Sequence, residues 1–131
     1  MASRKKERAD KIKEERKNIS YAKLNDCPTS PRKMRLVADL VRGKNVMDAL
    51  NILKFTNKEA AQRLEKLVVS AISNWNEKNQ GKSIEDEDVV ISQIYVDSAR
   101  MLKRLRPAPQ GRAHRIRKRS NHVTVILDSV K

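Results

Sequence analysis

Between Arg100 and Arg119 the sequence places nine cations, Arg100, Lys103, Arg104, Arg106, Arg112, Arg115, Arg117, Lys118 and Arg119, and no acid. Seven of the nine are arginine, whose planar fork of donors meets phosphate oxygens two at a time and also stacks on bases. The chemistry open to such a segment is recognition of a polyanion. If the chain is extended there, Arg100, Arg104 and Arg106 point one way and Lys103 the other, while Arg115, Arg117 and Arg119 oppose Arg112 and Lys118. A ribbon charged on both faces packs on a protein core by neither, so it must protrude, and arms of about ten residues would reach roughly 30 Å. Two strands alone are marginal in water. The segment is therefore expected to be poorly ordered in the free protein and fixed when phosphates surround it.

Other chemistry finds little material. His114 and His122 have no neighbouring cysteine and no spacing that assembles the ligands of a metal. The single Cys27 cannot form an internal disulfide and reads as a small packing residue. Glu85, Asp86, Glu87 and Asp88 are consecutive, without the glycine turn and alternating spacing of a calcium loop, and are expected to face solvent. Phosphodiester hydrolysis needs spaced carboxylates on a metal or a histidine acid and base, and the hairpin offers neither. No enzyme, cofactor or metal is expected. Aromatic residues make up only 3% of the chain, so rows of base-stacking platforms are not expected either. A formal charge of +14 over 131 residues fits one domain relieved of self-repulsion by a polyanion. With no apolar run of ~18 residues, signal sequence or lipidation pattern, nucleic acid is expected rather than a membrane.

The elements that would carry these cations follow from periodicity. Residues 1–18 form a basic arm with Arg4, Lys5, Lys6 and Arg8 near its start and Ile12 as its large aliphatic residue; it is expected to be disordered alone and helical against a partner. A single domain spans residues 19–131. It opens with a short strand at Ile19–Leu24, ended by Asp26, Cys27 and Pro28. A helix over Pro31–Arg42 is capped by Ser30, started by Pro31 and stopped by Gly43. Met34, Val37 and Val41 share its apolar face, leaving Arg32, Lys33, Arg35, Arg42 and the following Lys44 for RNA. A second helix runs from Val46 to Phe55. Thr56 and Glu59 suggest a capping box for a third, reaching Lys78 with the stripe Ala60, Leu64, Leu67, Val68, Ala71, Ile72 and Trp75; Trp75 is read as core. Two strand-like runs, Val89–Arg106 and Arg112–Asp128, pair across Pro107, Ala108, Pro109, Gln110 and Gly111.

The order of motifs resembles the bacterial members of the large-subunit ribosomal protein twenty-two family. The resemblance lies in Ser30-Pro31-Arg32-Lys33, Arg42-Gly43-Lys44, Ala49-Leu50 with Leu53, Lys66, Ser70-Ala71-Ile72 and Asn74. It continues through Val96-Asp97, Lys103-Arg104, Pro107, Gly111-Arg112-Ala113 and His122-Val123-Thr124-Val125. It implies an α+β fold of three helices on a three-stranded antiparallel sheet, with a hairpin at about 97–122 lining the nascent-peptide exit tunnel. Implied partners are large-subunit ribosomal RNA, neighbouring ribosomal proteins and, transiently, the nascent peptide, in a cytoplasmic ribosome, with no homo-oligomer. RNA contacts are expected from Ser30, Pro31, Arg32, Lys33, Arg35, Arg42 and Lys44, from the hairpin cations together with His114, and, on charge and not on the resemblance, from Arg4, Lys5, Lys6 and Arg8 of the arm. The tip would be Arg106, Pro107, Ala108, Pro109, Gln110, Gly111 and Arg112. Where the family usually has Pro-Arg-Ala, this chain has Pro107-Ala108-Pro109, one tip cation fewer, with Arg106 just before it. The competing class is an architectural DNA-binding protein with basic β-arms, but such proteins are symmetric dimers and no dimer surface is evident.

Overall fold

The computed structural model describes residues 3–80, 82, 84 and 87–129. Among these, the order is α1 (Arg4–Asn18), β1 (Ser20–Cys27), α2 (Pro31–Val41), α3 (Val46–Phe55), α4 (Glu59–Lys78), β2 (Val89–Ser98), β3 (Leu102–Pro107), β4 (Ala113–Lys118) and β5 (Asn121–Ser129). The fold is α+β, as expected, with the arm adding a fourth helix. Good helix formers and the Lys13–Asp10 pair, 3.8 Å apart, suit the arm to helix without a partner. No residue of α1 is buried, so it belongs to no core.

β1, β5 and β2 form an antiparallel sheet in that order. Along β5, Asn121, Val123, Val125 and Leu127 are buried and alternate with more exposed residues, the signature of a sheet covered on one face. The cover is helical: α4 lies along β1 and β5, and α2 packs against β2. The apolar stripe of α4 enters the core, Leu64, Val68 and Ala71 fully and Trp75 at 3% exposure. Burying each large aliphatic here is worth about 1.5–3 kcal/mol. Cys27, buried beside Thr29, is a packing residue as expected.

Local details depart from the sequence reading for identifiable reasons. β1 runs on to Cys27 because Asp26 adopts φ 50° and donates its amide to His122 Nδ1 at 3.0 Å, after which Cys27 pairs with Asn121. The Thr56–Glu59 capping box does not form. Thr56 instead donates its hydroxyl to Ile52 O at 2.6 Å, Lys58 takes the N-cap position, and Glu59 pairs with Arg63 at 2.8 Å. Ser30 is the N-cap of α2 but makes no side-chain capping bond. Gly43, at φ +72°, ends α2 and donates its amide to Ile91 O at 2.9 Å, while Ile91 N returns a bond to Lys44 O at 3.0 Å. Of the acidic run, Asp88 is exposed and Glu87, half-buried, pairs with Lys82; Glu85 and Asp86 lie outside the described residues.

Candidate nucleic-acid interface

The two strand-like runs do not continue unbroken into the hairpin. β2 and β5 end at Ser98 opposite Asn121, and pairing resumes at Leu102 opposite Lys118. Three residues, Ala99 to Met101, separate the ladders on one arm and two, Arg119 and Ser120, on the other. This offset leaves one more residue on one arm than on the other, as a bulge does, and one hydrogen bond from Ala99 N to Ser120 O, 2.9 Å, bridges it. Arg100 and Arg119 thus stand at the root of the hairpin, outside the ladder; Arg100 lines a hollow there with Asp26, Met101 and Ser120.

Six pairs make the ladder, from Leu102↔Lys118 to Pro107↔Ala113, spanning roughly 20 Å rather than 30 Å. Directly paired residues share a face. One face therefore carries Arg104, Arg106, His114 and Lys118, and the other Lys103, Arg115 and Arg117. Both faces are cationic, as the alternation predicts. Every residue of β3 and β4 is exposed, including Leu105 at 69%, so neither face rests on the domain. At the tip, Ala108 N bonds Arg112 O at 2.9 Å, and Gln110 and Gly111 take φ 61° and 70°. Glycine suits that conformation; Gln110 adopts it at a cost of about 1–2 kcal/mol. Arg106 and Arg112 flank this turn and are exposed.

The second expected patch divides. Arg32 and Lys33 are exposed on the first turn of α2, free for a ligand, whereas Pro31 is buried. Arg35, also exposed in part, turns its Nε and Nη2 to Val96 O at 3.3 and 3.0 Å. Arg42 donates to Ile94 O at 3.3 Å and to Asp39 Oδ1 at 2.5 Å. With the Gly43 and Lys44 bonds to Ile91, these side chains close the outer edge of β2, an edge that would otherwise invite foreign strands. Sequence reasoning assigned Arg35 and Arg42 to RNA and missed this internal role; their lengths allow remaining donors to reach outward. Arg4, Lys5, Lys6 and Arg8 occupy the first turns of α1 and are exposed. Among the described residues no group of three or more His, Cys, Asp or Glu is placed to hold a metal ion, and no helix is long and apolar enough to cross a membrane.

The ribosomal protein L22p/L17e family matches residues 22–128. The chain is 65% identical over 127 residues to the large ribosomal subunit protein uL22 of Christiangramia forsetii, covering 97% of this chain and 94% of that protein. It is 62% identical over 130 residues to the protein of the same name from Flavobacterium johnsoniae, covering 99% and 95%. The corresponding protein of Parabacteroides distasonis is 58% identical over 130 residues, covering 99% and 95%.

Proposed function

This chain belongs to the ribosomal protein L22p/L17e family, and we propose from that premise that it is a structural constituent of the large ribosomal subunit which binds and helps assemble its RNA. It acts in the cytoplasm, within the ribosome. The family is not an enzyme class, and the chain's work is contact and positioning.

The observation that carries this reading is the β3–β4 ribbon, cationic on both faces and exposed throughout. An arrangement that repels itself and buries nothing is stable only where anions surround it, and folded RNA provides phosphates on every side. Within the subunit the ribbon lines the nascent-peptide exit tunnel, with Arg106, Gln110 and Arg112 toward the lumen and transient contact with the emerging chain. Arg32, Lys33, Lys44 and the α1 cations anchor the domain to RNA outside it, and the protein enters as a single copy beside other ribosomal proteins.

Binding to purified large-subunit RNA and to duplex DNA at matched salt tests the reading. Clear preference for the ribosomal RNA, weakened when Arg104, Arg106, Arg115 and Arg117 are replaced by Ala, is expected. Equal affinity for duplex DNA would favour an architectural DNA-binding role instead.

A further inference from the structure

Where the hairpin returns to the domain, the first two residues of β5 reach across to the segment that leads from β1 to α2. Asn121 and His122 point to opposite faces of the sheet, as neighbours on a strand do; Asn121 is fully buried and His122 half-buried. From the inner face Asn121 donates Nδ2 to Thr29 O at 2.5 Å. From the outer face His122 accepts the Asp26 amide on Nδ1 at 3.0 Å. The stretch from Asp26 to Thr29 is thus held from both sides.

The ladder is irregular at this point. β1 pairs with β5 as far as Leu24↔Val123 and again at Cys27↔Asn121, so Asn25 and Asp26 together stand opposite His122 alone. That is a bulge. Asp26, its second residue, sits at φ 50°, a left-handed conformation that a residue other than glycine keeps only where its surroundings impose it. Across the root, one backbone bond from Ala99 to Ser120 joins the two arms between the ladders. The ribbon beyond is about 20 Å long, so a turn of about 15° at its root moves its tip by about 5 Å.

We propose that Asn121 and His122 form a two-sided clamp that fixes the direction in which the hairpin leaves the domain, and that the clamp closes only while His122 is neutral. It rests on the reading of the ribbon as a segment that RNA receives at a set angle. An imidazole nitrogen that accepts a hydrogen bond carries no proton, and protonation puts a donor where the Asp26 amide needs an acceptor. Asp26 Oδ1 lies 4.0 Å from His122 Nε2 and Asp97 stands opposite His122 on β2, so the cationic ring turns to these carboxylates and releases the amide. The remaining groups facing the ring are Lys23 and Tyr95, which flank Thr124 two residues on, and Arg100 and Lys103, which line a hollow with Asp26. Those cations oppose protonation and the two carboxylates favour it. Histidine changes charge between about pH 5 and about pH 8; the clamp is closed at the upper end of that range and open at the lower.

The Asp26 amide reports the clamp, and the bearing of the hairpin reports its purpose. In the nuclear magnetic resonance spectrum of the free full-length protein, the Asp26 amide should move together with the His122 ring as the pH falls through that range. In His122→Asn, whose Oδ1 stands in for Nδ1 and does not titrate, it should stay bonded throughout; in His122→Ala it should be unbonded throughout. Spin labels at Asn76→Cys on α4 and Leu102→Cys at the start of β3, with the buried Cys27 left unlabelled, would then give the root's geometry in the protein bound to large-subunit RNA. One narrow distance is expected for the unsubstituted clamp at the upper pH and for His122→Asn at both, and a broad distribution for the unsubstituted clamp at the lower pH and for His122→Ala at both. An Asp26 amide indifferent to pH and to His122→Ala would overturn the clamp, whatever the distances. A titrating amide with one narrow distance in all three proteins would show a bond that shapes the bulge without aiming the hairpin, and would overturn the proposal too. Failure of every form to bind the RNA would instead overturn the functional reading, and with it the purpose of the clamp, while the amide result still decided the bond.

Discussion

The chain builds two antiparallel ladders in succession from the same pair of runs, and they obey opposite rules. In the β2–β5 ladder the inward residues Val89, Ile91, Ile94, Val123, Val125 and Leu127 are buried at 3% exposure or less, and helices cover them. In the β3–β4 ladder every residue is exposed and six of the twelve paired residues are Lys or Arg. The backbone pattern is the same. What differs is burial: the first ladder has apolar burial supplied by the chain, and the second has none, so on the proposed function its counter-charge comes from outside. On the proposed function, the step between Ser98 and Leu102 on one arm, and Lys118 and Asn121 on the other, is where that responsibility passes from protein to RNA.

Removing one ladder while keeping the other separates the two regions most strongly. Replacing residues 100–119 by a short Gly-Ser turn should leave the melting temperature and circular dichroism of the domain nearly unchanged. If about five phosphates are engaged by the hairpin, the log–log salt slope for ribosomal RNA binding falls by about four units. An unchanged slope would mean that the ribbon is not the main phosphate contact.

Single truncations within each region should differ next most. Leu64→Ala, at a fully buried site beneath the sheet, should cost about 2–5 kcal/mol in denaturant unfolding. Leu105→Ala, on the ribbon, should stay within about 0.5 kcal/mol of wild type. Comparable losses at both sites would show that the ribbon packs on the domain after all.

Arginines sharpen the boundary further. Arg35→Ala removes the two donors on Val96 O and should cost about 1–2 kcal/mol of stability. The Arg32→Ala, Lys33→Ala double variant should leave stability alone and weaken RNA binding. The reverse pattern, read from chemical denaturation beside binding curves, would exchange their roles. Deleting residues 1–17 should have the smallest effect on the domain, below ~1 kcal/mol in thermal melts, because no residue of α1 is buried.

Much of this was legible in the sequence. The stripes of α2 and α4, Trp75 as core, the antiparallel runs and the cations on both faces of the hairpin all follow from periodicity, because burial repeats at 3.6 or 2 residues, and Cys27 as packing follows from its being the single cysteine. The fates of Arg35 and Arg42 were not: a flank arginine looks the same whether it reaches a phosphate or a carbonyl of a strand more than fifty residues away. The interruption of the hairpin at Ala99–Met101 was hidden too, since no Gly or Pro marks it and a single-residue offset leaves no trace in composition. Thr56 and Glu59 had the spacing of a capping box, but the bond from Lys58 N to Thr56 O at 2.8 Å tightens the turn, and the helix, with Lys58 as its N-cap, starts two residues later than that box requires.

Hydrogen exchange at single-amide resolution, on the free protein and on the protein within large subunits, tests most directly whether the two ladders draw their stability from different sources. Amides of β2 and β5 should be protected in both states. Those of Lys103 to Lys118 should exchange rapidly in the free protein, where ordering costs about 1–2 kcal/mol per residue with no burial to offset it, and become protected only in the subunit. Strong protection across Lys103 to Lys118 without RNA would contradict the account, showing a ribbon that the chain stabilises by itself.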